Sequence, residues 1–307
     1  MQQALFDSLP LAALPAPSAS SAAGGLSERA DAARQRWWRL QGRARQAGRA
    51  VEPVLVTPHF LARIDAACCP VTRTPIGPRA GRATPLRDDA AVAAGHLVTL
   101  GPPAAAAAVG RSWADALAVA ATLAEPGAPA QQAGLDAPAW RRLAVLRSFV
   151  QPLTPAQAGR LPLHVLPPPR LRVLSPVQAL QVAATLALLA PQRGERLCRL
   201  AALAAGEDLR QALRVFVLTL LARCPADLAA RDALAQRQAL EDLWADPLLA
   251  RRWQRAAERL GDAAATRLLA AARRQGLLGA GWRPLDAAAA VDGWDLPAPQ
   301  QRPRKAG

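Results

Sequence analysis

SPVQALQVAATLALLA, residues 175–190, decides the fold. A serine followed by proline opens a helix: the hydroxyl accepts from an amide in the first turn, and proline's fixed φ and missing N–H suit the first helical position. The helix so opened is expected to run to Ala190. The run 177–190 is too short to cross a bilayer and carries Gln178 and Gln181, so no membrane role is expected.

Downstream the same punctuation recurs. Asp246-Pro247 repeats the cap-then-proline pair, and Gly261 and Gly276 stand where helices should stop. Helices are predicted at about 194–204, 207–223, 226–244, 247–260 and 262–275, with another at 140–150 and a proline-broken connector at 161–174. No motif repeats among them. A helical domain at 136–279 follows, ending in a basic Pro- and Gln-rich tail at 280–307.

Upstream the pattern changes. Residues 125–135 (EPGAPAQQAGL) read as a linker, and residues 1–25 as a disordered leader without the features of a secretory signal. From Ser27, read as an N-cap, Leu26, Ala30, Ala33, Trp37, Leu40, Ala44, Ala47 and Val51 form an apolar seam along one helix, 26–53. Trp38 lies off that seam. Between them, 54–124 is broken by prolines and glycines. It predicts a small module with short strands near Val71 and at 97–100, then a helix at 112–123 burying Trp113, Leu117, Ala120 and Ala121. The fold class is therefore mainly α: a small irregular α+β module, treble-clef-like, followed by a multi-helix domain.

The chain of 307 residues carries a formal charge of +15 and a pI near 11.5. All but one of its 38 Lys and Arg residues are arginines. Together with the absence of Asn and Tyr this marks a GC-rich coding bias, but the positive field is physical and favours polyanions. Arg36, Arg39, Arg43, Arg45 and Arg49 fall mainly outside the apolar seam and are the candidate phosphate contacts. A second cluster, Arg251, Arg252, Arg255 and Arg259 around Trp253, is expected to pair with Glu241, Asp242 and Asp246. The four cysteines suit reduced thiols in a cytoplasmic protein rather than a disulfide framework.

The segment CCPVTRTPIGPRAGRATPLRDDAAVAAGHLVTLG, residues 68–101, resembles the His-Asn-His nuclease-like module of phage-related and other bacterial proteins. Cys69, Pro70, Val71 and Thr72 match that family's opening turn. Asp88, Asp89, Ala94, Gly95, Leu97 and Val98 match its second stretch, and Ser112-Trp113 begins a helix where the family has one. The departures fall on the chemistry: Thr84-Pro85 replaces an Asp-Arg pair, Val92 a tyrosine, Gly95-His96 a Gly-Asn, and the alanine run 104–108 the helix's Asn and Lys. The resemblance thus implies a nucleic-acid-associated accessory protein that does not cleave, with no cofactor. Cys69 and His96 are the remaining candidate metal ligands. A weak metal-dependent nuclease, with Asp88 or Asp89 joining His96, and a helical protein-interaction scaffold are the alternatives.

Gln2-Gln3-Ala4-Leu5-Phe6 is similar to the pentapeptide by which bacterial replication and repair proteins dock on the DNA sliding clamp. The resemblance implies that Leu5 and Phe6 enter an apolar pocket while the Gln2 amide bonds at its rim. DNA and the sliding clamp are accordingly the expected partners.

Overall fold

Alanine and arginine are among the strongest helix formers, and they dominate the first helix, α1 (Ala19–Gln46), of the computed structural model, which describes residues 19–77 and 79–278. Gln2, Leu5 and Phe6, and the tail beyond 278, lie outside the described residues. The helix starts earlier than the apolar seam suggests. The alanine-rich stretch before Leu26 extends it, and Gly24-Gly25 does not break it, so Ser27 is inside the helix rather than at its cap.

The protein is mainly helical, with eleven α-helices and one two-stranded antiparallel sheet among the described residues. None of the described helices is long and apolar enough to cross a membrane. The chain divides into two compact units, whose division falls between Leu143 and Ala144, inside helix α5 (Ala137–Ser148).

In the N-terminal unit, α1 packs on α2 (Pro58–Arg63) and on β1 (Arg82–Pro85). Ala33, Leu40 and Ala44 of the expected seam are buried and Trp37 is half-buried, whereas Ala30 and Ala47 are exposed. Leu40 and Ala44 join Val56, Leu61, Val92 and Leu97 in one apolar cluster. Beyond α1, Val51 pairs with Val92. The Val92 N–H donates to the Ala50 carbonyl at 2.8 Å, and the Glu52 N–H to the Val92 carbonyl at 2.9 Å. The buried Glu52 carboxylate in turn accepts from the amides of Val54 and Leu55, fixing the turn that leads into α2.

β1 runs antiparallel to β2 (Leu97–Leu100), from Arg82 opposite Leu100 to Pro85 opposite Leu97. β2 is buried along its whole length and leads through Gly101 into α3 (Pro102–Ala107). The strand expected near Val71 is instead a tight turn. The Arg73 N–H donates to the Cys69 carbonyl at 2.8 Å with Arg73 in a left-handed conformation (φ 59), and Pro70 has no N–H to give a ladder. Val71 is still fully buried, and Arg142 Nε donates to its carbonyl. In α4 (Trp113–Thr122), Ala116 and Ala120 form the buried face; Leu117 and Ala121, expected inside, are exposed.

The C-terminal unit is built on α11 (Pro247–Arg274), which packs against α6 (Pro155–Gly159), α7 (Pro176–Leu186) and α9 (Glu207–Arg223). Helix α8 (Arg193–Ala202) lies on α9. Helix α7 is buried from Val177 to Thr185. Its two side-chain amides donate to partners there: Gln178 Nε2 to Ser148 Oγ at 2.8 Å, and Gln181 Nε2 to the Leu161 carbonyl at 3.1 Å. Trp244 and Trp253 are both buried against Phe216, whose ring centroid lies 5.0 Å from that of Trp253.

In the C-terminal unit one helix break agrees with the sequence reading and one helix start differs from it. Gly261 stands where the sequence puts a stop: its backbone (φ 61, ψ 165) is not helical, a conformation glycine adopts without steric cost, so the span α11 is broken there by a kink into the two helices expected. The helix expected at 226–244 shortens to α10 (Ala233–Asp242), because Asp232 accepts from the Ala235 N–H at 2.8 Å and starts the helix afresh.

Gly159 of α6 lies directly against Ala257 of α11. A Cβ built on it would stand 2.6 Å from the Ala257 Cβ, far inside van der Waals contact. Gly159→Ala is therefore expected to destabilise the protein by about 1–3 kcal/mol, the usual cost of overpacking a filled core. A fall in the urea midpoint at unchanged slope measures it; an unchanged midpoint would mean that the two helices part freely.

Candidate anion-binding groove

Arginines approach one another in this protein where α1 passes β1. The stripe of α1 that faces the core carries Ala33 and Leu40, and on the adjoining face stand Arg39 and Arg43. From the other side come Arg79 and Arg82, held by the residues that lead into β1. Gly81 between them makes this approach possible: a Cβ there would stand 2.8 Å from Thr99 Cγ2 and 3.3 Å from Arg36 Nη1. The result is an open cavity of about 480 Å³ lined by Arg36, Arg39, Arg43, Arg79 and Arg82, with no Asp or Glu among its described lining residues.

The five guanidinium groups differ in role. The sequence places Arg36 on the phosphate-contacting face; the structure corrects this. It is 3% exposed and bonded twice to the Asp65 carboxylate, at 2.5 and 2.8 Å, so it forms the floor of the cavity with its charge neutralised. Arg43 is exposed but anchored, donating from Nη2 to the Ala83 carbonyl at 2.6 Å. Its pKa is lowered by partial burial and then by the nearby charges of Arg82 and Arg39. Arg39 and Arg82 are exposed.

Two other candidates on or after α1 do not belong to this cavity. Arg45 is exposed, but it is not among the lining residues. Arg49 is tied down: it donates to the carbonyls of Arg87 and Ala90 and lies 3.8 Å from the Asp88 carboxylate, so it braces the 87–90 loop. Trp38 is 62% exposed, its ring edge-on to Trp37 at 4.7 Å.

A second hollow, of about 630 Å³, continues from the first and shares Arg43, Gln46, Arg82 and Ala83 with it. Leu40, Ala44 and Val92 contribute its apolar lining, and Ala105 and Ala106 of α3 and the following Val109 complete it. Thr84, Asp88 and Arg49 add polar groups.

The residues singled out for metal chemistry are used otherwise. His96 is fully buried, and its Nε2 accepts from the Ala93 N–H at 2.6 Å. Its pKa is pushed down to about 3, chiefly by burial and then by the charges of Arg49 and Arg87, so it is a neutral acceptor at physiological pH. Cys69 is buried beneath Gly101. Asp89 is ion-paired to Arg87 at 2.7 Å, and that hydrogen bond lowers its pKa. Among the described residues no three His, Cys, Asp or Glu side chains are grouped to hold a metal ion.

In the C-terminal unit, Arg252, Arg255 and Arg259 of α11 line a shallower cavity of about 410 Å³ facing Asp208 and Gln211 of α9. Two of the acids expected to neutralise this cluster do not reach it. Asp246 pairs with Arg223 at 2.6 Å, and Glu241 with Arg237 at 3.1 Å while also accepting from the Leu166 N–H. Glu241 thereby pins the connector before α7, a role that its position one turn from Arg237 does not reveal.

Sequence reasoning found Arg39 and Arg43 but missed Arg79 and Arg82. The available clue was Arg79-Ala-Gly-Arg82, two arginines flanking a glycine in an otherwise apolar approach to a strand. No family model matches the chain, and no curated protein or solved structure does either.

Proposed function

We propose that the N-terminal unit binds a nucleic acid through the groove between α1 and β1, contacting phosphates without cleaving them. One observation carries the reading: Arg39, Arg43, Arg79 and Arg82, over the paired Arg36, line a single concavity with no carboxylate among its described lining residues, and the charges of Arg82 and Arg39 both act on Arg43 there. A phosphate chain offsets those charges and releases its own condensed counterions on binding. The formal charge of +15 adds a long-range attraction that speeds the encounter.

The order of elements supports descent from a His-Asn-His nuclease-like module. A β-hairpin, β1–β2, runs into the short helix α3, with Cys69 packed against Gly101 at their junction. In this reading catalysis has been lost and the phosphate-binding surface kept, since His96 is spent on its own backbone and Asp88 and Asp89 lie beside arginines. The protein would act in the cytoplasm as an accessory to DNA transactions.

Fluorescence anisotropy with a labelled DNA at low and at moderate salt tests this. Affinity is expected to fall steeply with salt. Replacing Arg39, Arg43 and Arg82 by Gln is expected to weaken binding at least about tenfold and to reduce the slope of log affinity against log salt by roughly 2–3, since each phosphate left without its arginine removes about 0.7–0.9. Binding that is absent at low salt, or indifferent to salt, would overturn the reading.

A further inference from the structure

Resting on that reading, we propose that the groove takes a single strand rather than a duplex, with one unpaired base seated in the hollow beside α3. A duplex turns its phosphates outward and keeps its bases stacked inside. The arginine cavity alone would serve it, and nothing about duplex binding calls for an apolar space next to the phosphate site. Here the two are continuous. Arg43 and Arg82 line both, so a phosphate held between them places the sugar and base of the same nucleotide at the mouth of the second hollow.

That hollow suits a flat heterocycle. At about 630 Å³ it is of ordinary size for a small-molecule site. Leu40, Ala44 and Val92 back it from the core, and Ala47, Pro85 and Ala106 offer accessible aliphatic surface for the ring face, much as bases drawn out of a stack are held between apolar side chains. Gln46, Thr84 and Asp88 supply donors and acceptors of the kind a base edge needs. Val109 stands in this lining 72% exposed, a large apolar side chain that a seated base would cover. An unstacked base reaches such a site at little cost in a single strand, whereas a duplex must first unpair it.

The full chain should be titrated at low salt with three labelled probes of equal phosphate number: an oligothymidylate, an abasic strand of the same length, and a hairpin duplex. The oligothymidylate is expected to bind about 5–100-fold more tightly than the abasic strand, the range that stacking of a seated base gives. Ala106→Leu, at an exposed position of α3 where the added bulk fills the hollow, is expected to bring that ratio towards one without weakening the abasic strand. Equal affinity for all three probes, or a ratio unmoved by Ala106→Leu in protein of unchanged circular dichroism, overturns the base seat while leaving phosphate binding intact. Failure of every probe to bind at low salt overturns the phosphate-binding reading itself.

Discussion

Lowering the pH from 7 to 4 is expected to cost the protein about 3 kcal/mol through His96 alone, and His96→Gln is expected to abolish that loss. The imidazole is fully buried, with Arg49 and Arg87 nearby and Nε2 occupied as an acceptor by the Ala93 N–H. Burial away from water disfavours the charged ring first, and the charges of Arg49 and Arg87 disfavour it further, which is why its pKa drops to about 3. In the unfolded chain the same ring titrates at about 6.5. Between these values the unfolded state binds a proton that the folded state refuses, so stability is fully present above about pH 6.5 and is lost as the pH falls towards about 3. Urea unfolding followed by tryptophan fluorescence at pH 7 and pH 4 measures the effect. Gln in place of His keeps an acceptor for Ala93 without a group that titrates in this window. The parent should lose about 3 kcal/mol more than the variant on acidification; parallel losses would show that the ring protonates freely in the folded state.

How much of this was legible in the sequence depends on whether the deciding contacts are local. Helix α7 was readable because Ser175-Pro176 opens it and an apolar run sustains it, and α9 coincides with its expected span. The seam of Ala33, Trp37, Leu40 and Ala44 was readable because helical periodicity follows from the backbone alone. The turn at Val71 was not. A buried valine among apolar neighbours looks like a strand residue, and only the left-handed backbone at Arg73 closes the turn. Gly261 shows the converse: a glycine after an apolar-periodic run marks a local break, and the backbone leaves the helical region there as the sequence suggests.

The groove was half legible for the same reason. Arg39 and Arg43 lie on a helix whose outer face can be drawn from the sequence. Arg79 and Arg82 reach them only because β1 pairs with β2 and Gly81 permits close approach. Charges are harder still to read. Arg36 and Arg39 are one turn apart and alike in composition, yet one is neutralised by Asp65, 29 positions away, and the other is exposed. Arg49 likewise finds its carbonyls about 40 positions downstream.

That neutralised arginine carries the second large effect. Asp65→Ala is expected to destabilise the protein by roughly 3 kcal/mol, at the lower end of the roughly 3–5 kcal/mol typical for stripping one partner from a buried pair, since Asp65 itself is 31% exposed. Arg36 occupies a position on α1 flanked by the buried Ala32, Ala33 and Leu40, where an apolar side chain would otherwise sit. Among the described residues its Nε has no hydrogen-bond partner, so the fork to Asp65 carries its satisfaction. Without Asp65 a full charge stays buried and unpaired. The double replacement Arg36→Met with Asp65→Ala removes charge and countercharge together and is expected to recover most of the loss, because an apolar side chain of similar length fills the same space without desolvating a charge. Urea midpoints of the two single variants and the double variant close the cycle, and a coupling below about 0.5 kcal/mol would show that water already solvates the pair. The same variants test the role of Arg36 in the groove. If Arg36 is only its floor, the double variant binds DNA with the parental salt slope, whereas loss of one phosphate's worth of slope would move Arg36 from the floor to the binding surface.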